Sequence, residues 1–127
     1  MDKKKILVVD DEQDLLDFVK LRLEANNYTV ITSIDGDEAL VIFKKEKPDL
    51  VLLDILMPKL DGFKVCQALK NDPLTKNIPV IMLTAKDRPD DIKQAKQVGA
   101  NGYIIKPFDA TTLIFDIKEQ LDKIKVG

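Results

Sequence analysis

Side chains able to handle phosphate and metal ions stand at the ends of four apolar runs in this sequence. Asp10 and Asp11 follow ILVV, Asp54 follows LVLL, Thr84 closes VIMLT, and Lys106 follows GYII. Carboxylates that share a crevice repel one another, and a hard divalent cation such as Mg²⁺ relieves that repulsion. A nearby lysine can hold an anionic oxygen. Brought together, this set predicts metal-assisted phosphoryl transfer, with the central acid, Asp54, as the covalent acceptor.

The elements that would position these side chains alternate along the whole chain. The predicted strands are Lys5–Asp10, Tyr28–Ser33, Leu50–Asp54, Ile78–Leu83 and Gly102–Ile105. The predicted helices are Glu12–Asn26, Gly36–Lys45, Gly62–Lys70, Pro89–Val98 and Ala110–Lys123. Three of the runs, Val8-Val9, Val51-Leu52-Leu53 and Val80-Ile81-Met82, are continuously apolar, so both faces of those strands should be covered. The pattern predicts one doubly wound α/β domain with a parallel sheet, helices on both faces, and a site beyond the carboxyl ends of the strands.

Local residues predict where several helices begin and end. Asp87, two residues before Pro89, is expected to cap the fourth helix. Gly99 is expected to end that helix in a left-handed conformation. Asp109 is expected to cap the last helix.

Composition excludes several classes of function. The chain has 127 residues and a net charge of −2, so it is sized for one domain and carries no basic footprint for nucleic acid. It contains no histidine, which excludes histidine-dependent hydrolysis, histidine metal sites and a histidine phosphoryl carrier within this chain. No apolar run is long enough to span a membrane and no signal-peptide pattern precedes the first strand, so we expect a cytoplasmic protein. The single cysteine, Cys66, is expected to be a small buried residue.

Four stretches together resemble the receiver domain of two-component response regulators over essentially the full length of the chain. They are ILVVDDE (Ile6–Glu12), DLVLLDILMPKLDG (Asp49–Gly62), PVIMLTA (Pro79–Ala85) and GYIIKPF (Gly102–Phe108). The resemblance implies a flavodoxin-like (βα)5 fold with strand order 2-1-3-4-5, an order that the strand pattern alone does not provide. It also implies that residues 1–127 form a receiver domain, with no effector domain present.

The resemblance implies a role for each acidic residue of the set. Asp54 would be the phosphoacceptor. Asp11 would ligate Mg²⁺ (or Mn²⁺) directly, together with Asp54 and the backbone carbonyl of Leu56, while Asp10 would help hold the metal through water. Lys106 would pair with the phosphoryl group or, before phosphorylation, with Asp54.

Two further residues would respond to phosphorylation and transmit its effect. Thr84 would donate its hydroxyl to a phosphoryl oxygen and move towards the site. Tyr103 would be the aromatic that changes rotamer as Thr84 moves. The Lys106–Pro107 peptide bond is typically cis in this family.

The resemblance also implies partners. The phosphodonor would be a phosphohistidine on a sensor histidine kinase or a histidine phosphotransfer protein, and the domain would catalyse its own phosphotransfer and autodephosphorylation. The output would reach a downstream effector or a homodimer through the fourth helix, fifth strand and fifth helix. On the last helix Phe115 falls opposite the apolar stripe and is expected to be exposed. We expect no direct binding to nucleic acid or membrane.

Winged-helix regulators of this family usually carry two acids before the strand-five aromatic and an arginine on the last helix. Here those places hold Asn101-Gly102 and Asp116, which argues against that dimer and against a DNA-binding output of that class.

Other readings of the residues remain open. A metal-dependent phosphatase with an aspartate nucleophile usually has a second acid two residues after the nucleophile, where this chain has Leu56. A flavin or dinucleotide carrier needs a phosphate-cradling loop after the first strand, where this chain has Asp10, Asp11 and Glu12. A degenerate receiver used as a scaffold is the third alternative, and the complete set of site residues argues against it.

Overall fold

A five-stranded parallel sheet forms the centre of the protein. The computed structural model describes residues 3–57, 60–85 and 89–126, with the backbone alone at 56, 60 and 124–126. The strands are β1 (Lys5–Val9), β2 (Thr29–Ser33), β3 (Leu50–Leu53), β4 (Val80–Thr84) and β5 (Gly102–Ile105). Their spatial order is β2-β1-β3-β4-β5, and every neighbouring pair is parallel. The predicted fold class and the implied strand order are confirmed.

Helices cover both faces of this sheet. They are α1 (Gln13–Ala25), α2 (Gly36–Glu46), α3 (Gly62–Asn71), α4 (Pro89–Gln97) and α5 (Ala110–Val126). Buried side chains of α1 and α5, such as Val19 and Ile117, pack with one face of the sheet. Those of α2, α3 and α4, such as Phe43, Cys66 and Ala95, pack with the other. Within the described part of the chain, no helix is both long and apolar enough to cross a membrane.

Two of the three predicted helix ends are confirmed. The Asp109 side chain accepts a hydrogen bond from the Thr112 N–H at 2.7 Å, as expected of a cap at the start of α5. Gly99 has φ +95°, the left-handed conformation that ends the segment after α4. Asp87 lies outside the described residues.

The structure corrects the predicted strand ends. β1 and β3 end one residue before Asp10 and Asp54, although the N–H groups of these aspartates still donate to Ser33 O (3.0 Å) and Val9 O (2.9 Å). β4 begins at Val80 and not at Ile78, because Pro79 has no N–H to donate to a ladder. The predicted cores of all five strands nevertheless coincide with the observed strands.

A short antiparallel ladder after β3 was not predicted. Leu56–Met57 pairs with Leu60–Asp61 just before α3 begins. Two-residue strands carry no usable periodicity, so the sequence pattern could not reveal them. The ladder turns the chain back beneath the end of β3.

At the opposite edge of the sheet, Asn101 joins three elements. Its Oδ1 accepts from Val80 N–H at 3.0 Å and from the Lys70 ammonium at 2.7 Å, and its backbone O accepts from the Gln120 amide at 3.0 Å. Lys70 also donates to Ile78 O at 2.8 Å. Asn101 therefore stabilises the start of β4 and β5, which is a structural role for a residue singled out above as a departure from the winged-helix pattern.

Cys66 lies fully buried on α3, as predicted. Its Sγ is 3.6 Å from the carbonyl oxygen of Val98, in the segment that follows α4. Burial raises the pKa of the Cys66 thiol to about 11.

Candidate functional site

The carboxyl edge of the sheet brings together most of the predicted site residues. Asp10 directly follows β1, Asp54 directly follows β3, and Thr84 ends β4. All three are almost completely buried. Lys106 directly follows β5, and its side chain is 12% exposed. The strands meet in parallel, so their carboxyl ends deliver these groups to one place.

The ammonium group of Lys106 is the centre of this site. Its Nζ lies 2.8 Å from Asp10 Oδ2, 3.1 Å from Glu12 Oε1 and 3.4 Å from Asp54 Oδ2. The expected pairing with Asp54 is present, but the shortest contact is with Asp10. Both carboxylates are buried, so each needs compensation of its charge, and Lys106 contacts both.

Glu12 is the site residue that the sequence reasoning did not assign. Its N–H donates to Asp10 Oδ1 at 2.9 Å, which folds the chain back towards the strand end. Its own carboxylate then reaches Lys106 from the mouth of the site. The available signal was the third acid of Asp10-Asp11-Glu12.

Burial and ion pairing act in opposite directions on the pKa values of the site. Burial raises the pKa of Asp10, although Lys106 and the N–H of Glu12 oppose that shift. Burial alone would lower the pKa of Lys106, but the carboxylates of Asp10, Asp54 and Glu12 reverse this and raise it. Lys106 is therefore a permanent cation at neutral pH, and it neutralises buried negative charge.

The oxygen donors of this site fit Mg²⁺ or Mn²⁺. Asp10, Asp11 and Glu12 can each offer one carboxylate oxygen, and these oxygens lie within 4.8 Å of one another. Asp10 Oδ2 is buried, and among the described residues it has only the Lys106 ion pair and no directional hydrogen bond. A hard cation prefers such carboxylate ligands. The group includes Glu12, which was not predicted, while the roles of Asp54 and the Leu56 carbonyl as ligands stay predictions.

The two predicted switch residues occupy neighbouring strands. Thr84 is buried, and its carbonyl accepts the Lys106 N–H at 2.8 Å, which ties the end of β4 to Lys106. Tyr103 on β5 is half-buried and packs against the apolar cluster under α4. The Lys106–Pro107 bond is cis, as the resemblance implied. The movement of Thr84 and Tyr103 on phosphorylation stays a prediction.

Gly62 fixes the backbone beneath Asp54. Asp61 caps α3 by accepting the Phe63 N–H at 2.8 Å, and the Gly62 N–H donates to Ile55 O at 3.0 Å. A Cβ added at Gly62 would lie 2.5 Å from Asp54 O and 2.6 Å from Ile55 Cα. Both atoms belong to the backbone, so no side-chain rotation can relieve the overlap.

Replacing Gly62 with alanine is expected to lower the free energy of unfolding by about 1–3 kcal/mol, the usual cost of overpacking. The peptide after Asp54 must move to admit the methyl group. Urea denaturation followed by circular dichroism measures the change. The matched control is Gly102→Ala, because the nearest atom there is a side-chain carbon, Ile81 Cγ1, at 3.3 Å. Equal losses in the two variants would contradict this role of Gly62.

A groove of about 530 Å³ opens beside Lys106, between α1 and the segment after β5. Its walls combine apolar side chains with acidic groups close to the site. The lining residues are Glu12, Asp14, Leu15, Phe18, Ala85, Lys106, Pro107 and Phe108. The groove gives an incoming molecule access to Lys106 from outside.

The predicted output surface carries an exposed aromatic side chain, as expected. Phe115 on α5 is 64% exposed, which confirms that it faces away from the core. The stripe opposite it is buried at Leu113, Ile117 and Leu121. Ala95 is the one buried side chain of α4, so little apolar area anchors that helix. A partner contact through Phe115 stays a prediction.

Known proteins similar to this chain share both its sequence pattern and its fold. A family model described as "Response regulator receiver domain" matches residues 6–118. The chain is 44% identical over 124 residues to the "Probable transcriptional regulator ycf27" of Porphyridium aerugineum, covering 98% of this chain and 50% of that protein. It is 42% identical over 124 residues to the "Alkaline phosphatase synthesis transcriptional regulatory protein PhoP" of Bacillus subtilis (strain 168), covering 98% and 51%. The chain thus spans about half the length of these curated relatives.

Solved structures agree with these relatives. The structure described as a "response regulator receiver domain protein (CheY-like)" from Methanospirillum hungatei JF-1 superposes with a TM-score of 0.93 at 31% identity. The match covers 99% of this chain and 100% of that one. The resemblance first seen in four short stretches therefore extends through the whole fold.

Proposed function

Because this chain belongs to the response regulator receiver domain family, we propose that it is a switch in which Asp54 accepts a phosphoryl group in a Mg²⁺-dependent reaction. The observation that carries the proposal is the shared ammonium of Lys106. It lies 3.4 Å from the buried Asp54 carboxylate and 2.8 Å from Asp10. A nucleophile, a cation for the phosphoryl oxygens and an oxygen-rich metal site thus adjoin one another.

In the proposed reaction an Asp54 carboxylate oxygen forms a bond to phosphorus. The phosphorus–nitrogen bond of the donor phosphohistidine breaks, and its electron pair returns to the imidazole. Lys106 holds a phosphoryl oxygen, and the Thr84 hydroxyl donates to another. Asp11, Asp54 and the Leu56 carbonyl, with help from Asp10, would hold Mg²⁺, which would supply further charge neutralisation. Hydrolysis of the acyl phosphate by water resets the switch, so the domain performs its own phosphotransfer and autodephosphorylation without being an enzyme for other substrates.

The donor is proposed to be a phosphohistidine on a sensor histidine kinase or a histidine phosphotransfer protein. This chain contains no histidine, so the donor must be another molecule. The groove beside Lys106 gives such a partner access to the site. Response regulators as a family work with sensor histidine kinases and effectors.

The output surface is proposed to be α4, β5 and α5, leading to a downstream effector or a homodimer. The exposed Phe115 and the lightly anchored α4 support this choice. The net charge of −2 supports the expectation that these residues do not themselves bind nucleic acid. The location is proposed to be the cytoplasm.

Incubation of the protein with acetyl phosphate and Mg²⁺ tests the proposal. Mass spectrometry of the intact protein should show one added phosphoryl group, and peptide mapping should place it at Asp54. A chelator should suppress the reaction. If the peptide containing Asp54 stays unmodified, the proposal is wrong. Rapid turnover of a general phosphate ester would favour the phosphatase alternative instead.

Leu56 is expected to prolong the life of the phosphoryl group. It follows Asp54 by two residues, and an apolar side chain there cannot orient an attacking water. Leu56→Asn should hydrolyse the acyl phosphate about fivefold faster, the effect of one added hydrogen bond worth about 1 kcal/mol. Loss of the phosphoryl group after removal of the donor measures the rate. Leu56→Ile is the apolar control, and a slower or unchanged rate in Leu56→Asn counts against the prediction.

A further inference from the structure

We propose that Glu12 is a positioning residue that restrains Lys106 in the unphosphorylated protein and competes with the phosphoryl group for its ammonium. The proposal rests on the proposed function, since it concerns the lysine that would hold the phosphoryl oxygens. Glu12 Oε1 lies 3.1 Å from Lys106 Nζ, closer than Asp54 Oδ2 at 3.4 Å. Glu12 therefore makes a shorter contact with the ammonium than the acceptor does.

An ammonium group has three N–H donors, and three carboxylates surround this one. An incoming phosphoryl oxygen needs one of these donors, so one carboxylate must give way. Asp10 is fully buried and cannot replace Lys106 with water at no cost. The Glu12 side chain is 62% exposed, so water can solvate its carboxylate when the ion pair breaks. Glu12 is thus the partner that Lys106 can release most easily.

The local backbone holds Glu12 in this position. Its N–H donates to Asp10 Oδ1 at 2.9 Å, and α1 begins at the next residue. From this position the Glu12 carboxylate contacts Lys106, which lies 94 residues later in the sequence. Removing the Glu12 charge should free the ammonium for the phosphoryl site. The gain in affinity for a phosphoryl group should equal the small stabilisation that one exposed ion pair provides.

Asp14 provides a control for general electrostatics. It is an exposed acid that lines the same groove, and it forms no hydrogen bond or ion pair with Lys106, both of which are described residues. Asp14→Asn removes the same charge from the same surface as Glu12→Gln. Only Glu12→Gln removes a partner of Lys106.

Beryllofluoride, a non-covalent phosphoryl analogue, tests the proposal at saturating Mg²⁺. Fluorine NMR of the bound analogue gives its dissociation constant in wild type, Glu12→Gln and Asp14→Asn, after circular dichroism has shown that each is folded. We expect Glu12→Gln to bind about two- to fivefold more tightly, and Asp14→Asn to change by less than about 1.5-fold. In protein without analogue, the Lys106 Nζ resonance should shift in Glu12→Gln alone.

The outcomes separate this proposal from the function it rests on. If wild type does not bind beryllofluoride with Mg²⁺, the proposed phosphoacceptor function fails. If wild type binds and Glu12→Gln binds equally or more weakly, the positioning role of Glu12 is overturned. An equal gain in Asp14→Asn would also overturn it, because general charge repulsion would then account for the effect.

Discussion

Asp54→Ala is expected to abolish phosphorylation by acetyl phosphate, with a rate at least about 100-fold below that of the wild type, as expected when a covalent nucleophile is removed. The buried carboxylate at the end of β3 lies beside the Lys106 ammonium, which would hold the phosphoryl oxygens. The other buried carboxylate among the described site residues, that of Asp10, is already bound to Lys106 and to the Glu12 N–H, so we do not expect it to replace Asp54. Intact-protein mass spectrometry over time gives the rate.

Two further variants make this result interpretable. Asp54→Asn keeps the shape of the side chain and removes its charge, so it separates loss of the nucleophile from loss of packing. Asp14→Ala makes the same kind of change at an exposed acid of the groove and should be phosphorylated at the wild-type rate. A phosphoryl group that persists in both Asp54 variants would place the acceptor elsewhere.

Lys106→Met is expected to lower the free energy of unfolding by about 3–5 kcal/mol at about pH 8 in the presence of a chelator, the range for removing one partner of a buried ion pair. The substitution keeps much of the side-chain volume and removes the charge. Asp10 and Asp54 would then be buried carboxylates without their ammonium counter-ion. Chemical denaturation measures the loss.

This loss should depend on pH in a defined direction. Burial already raises the pKa of Asp10, and Lys106 is one of the groups that oppose the rise. Without Lys106 the folded protein should hold the Asp10 proton still more strongly than the unfolded chain does. Stability then falls as pH rises from the ordinary carboxyl range through the raised pKa of the folded state. The deficit should be larger at about pH 8 than at about pH 5.

Mg²⁺ and a surface lysine provide the controls for Lys106→Met. Added Mg²⁺ should restore part of the stability, since a bound cation replaces the missing charge. Lys123 is 63% exposed in its pair with Glu119, so Lys123→Met should change stability by less than about 0.5 kcal/mol. A deficit that is equal at both pH values would mean that buried carboxylate charge is not its cause.

The sequence was sufficient to predict the sheet and the positions of Asp10, Asp54, Thr84 and Lys106. Continuous apolar runs indicate strands covered on both faces, and parallel strands must present their carboxyl ends together. A polar residue directly after such a run therefore lies at the carboxyl edge of the sheet. The apolar runs therefore predict that these polar residues lie together, while the strand order is implied only by the family resemblance.

The sharing of Lys106 could not be predicted, because it depends on side-chain reach and burial. Asp10 and Asp54 lie 2.8 Å and 3.4 Å from the Lys106 ammonium, and these distances depend on how the folded chain places the three side chains. Glu12 joins because its N–H donates to Asp10 Oδ1 and its own carboxylate lies within reach of Lys106. The overlap that excludes a side chain at Gly62 likewise depends on how β3 and α3 pass each other.

The rate at which Cys66 is chemically labelled can report motion on the side of the sheet that carries α4. It is the single cysteine of the chain, and its sulfur is enclosed between α3 and the carbonyl of Val98. With a pKa of about 11 it is mostly an unreactive thiol at neutral pH, and reagents reach it only when these elements separate. The rate at which a thiol reagent labels the unmodified protein therefore reports how often α3 and the segment after α4 separate. Comparing that labelling rate before and after phosphorylation would show whether phosphorylation changes this motion, and no added probe is needed.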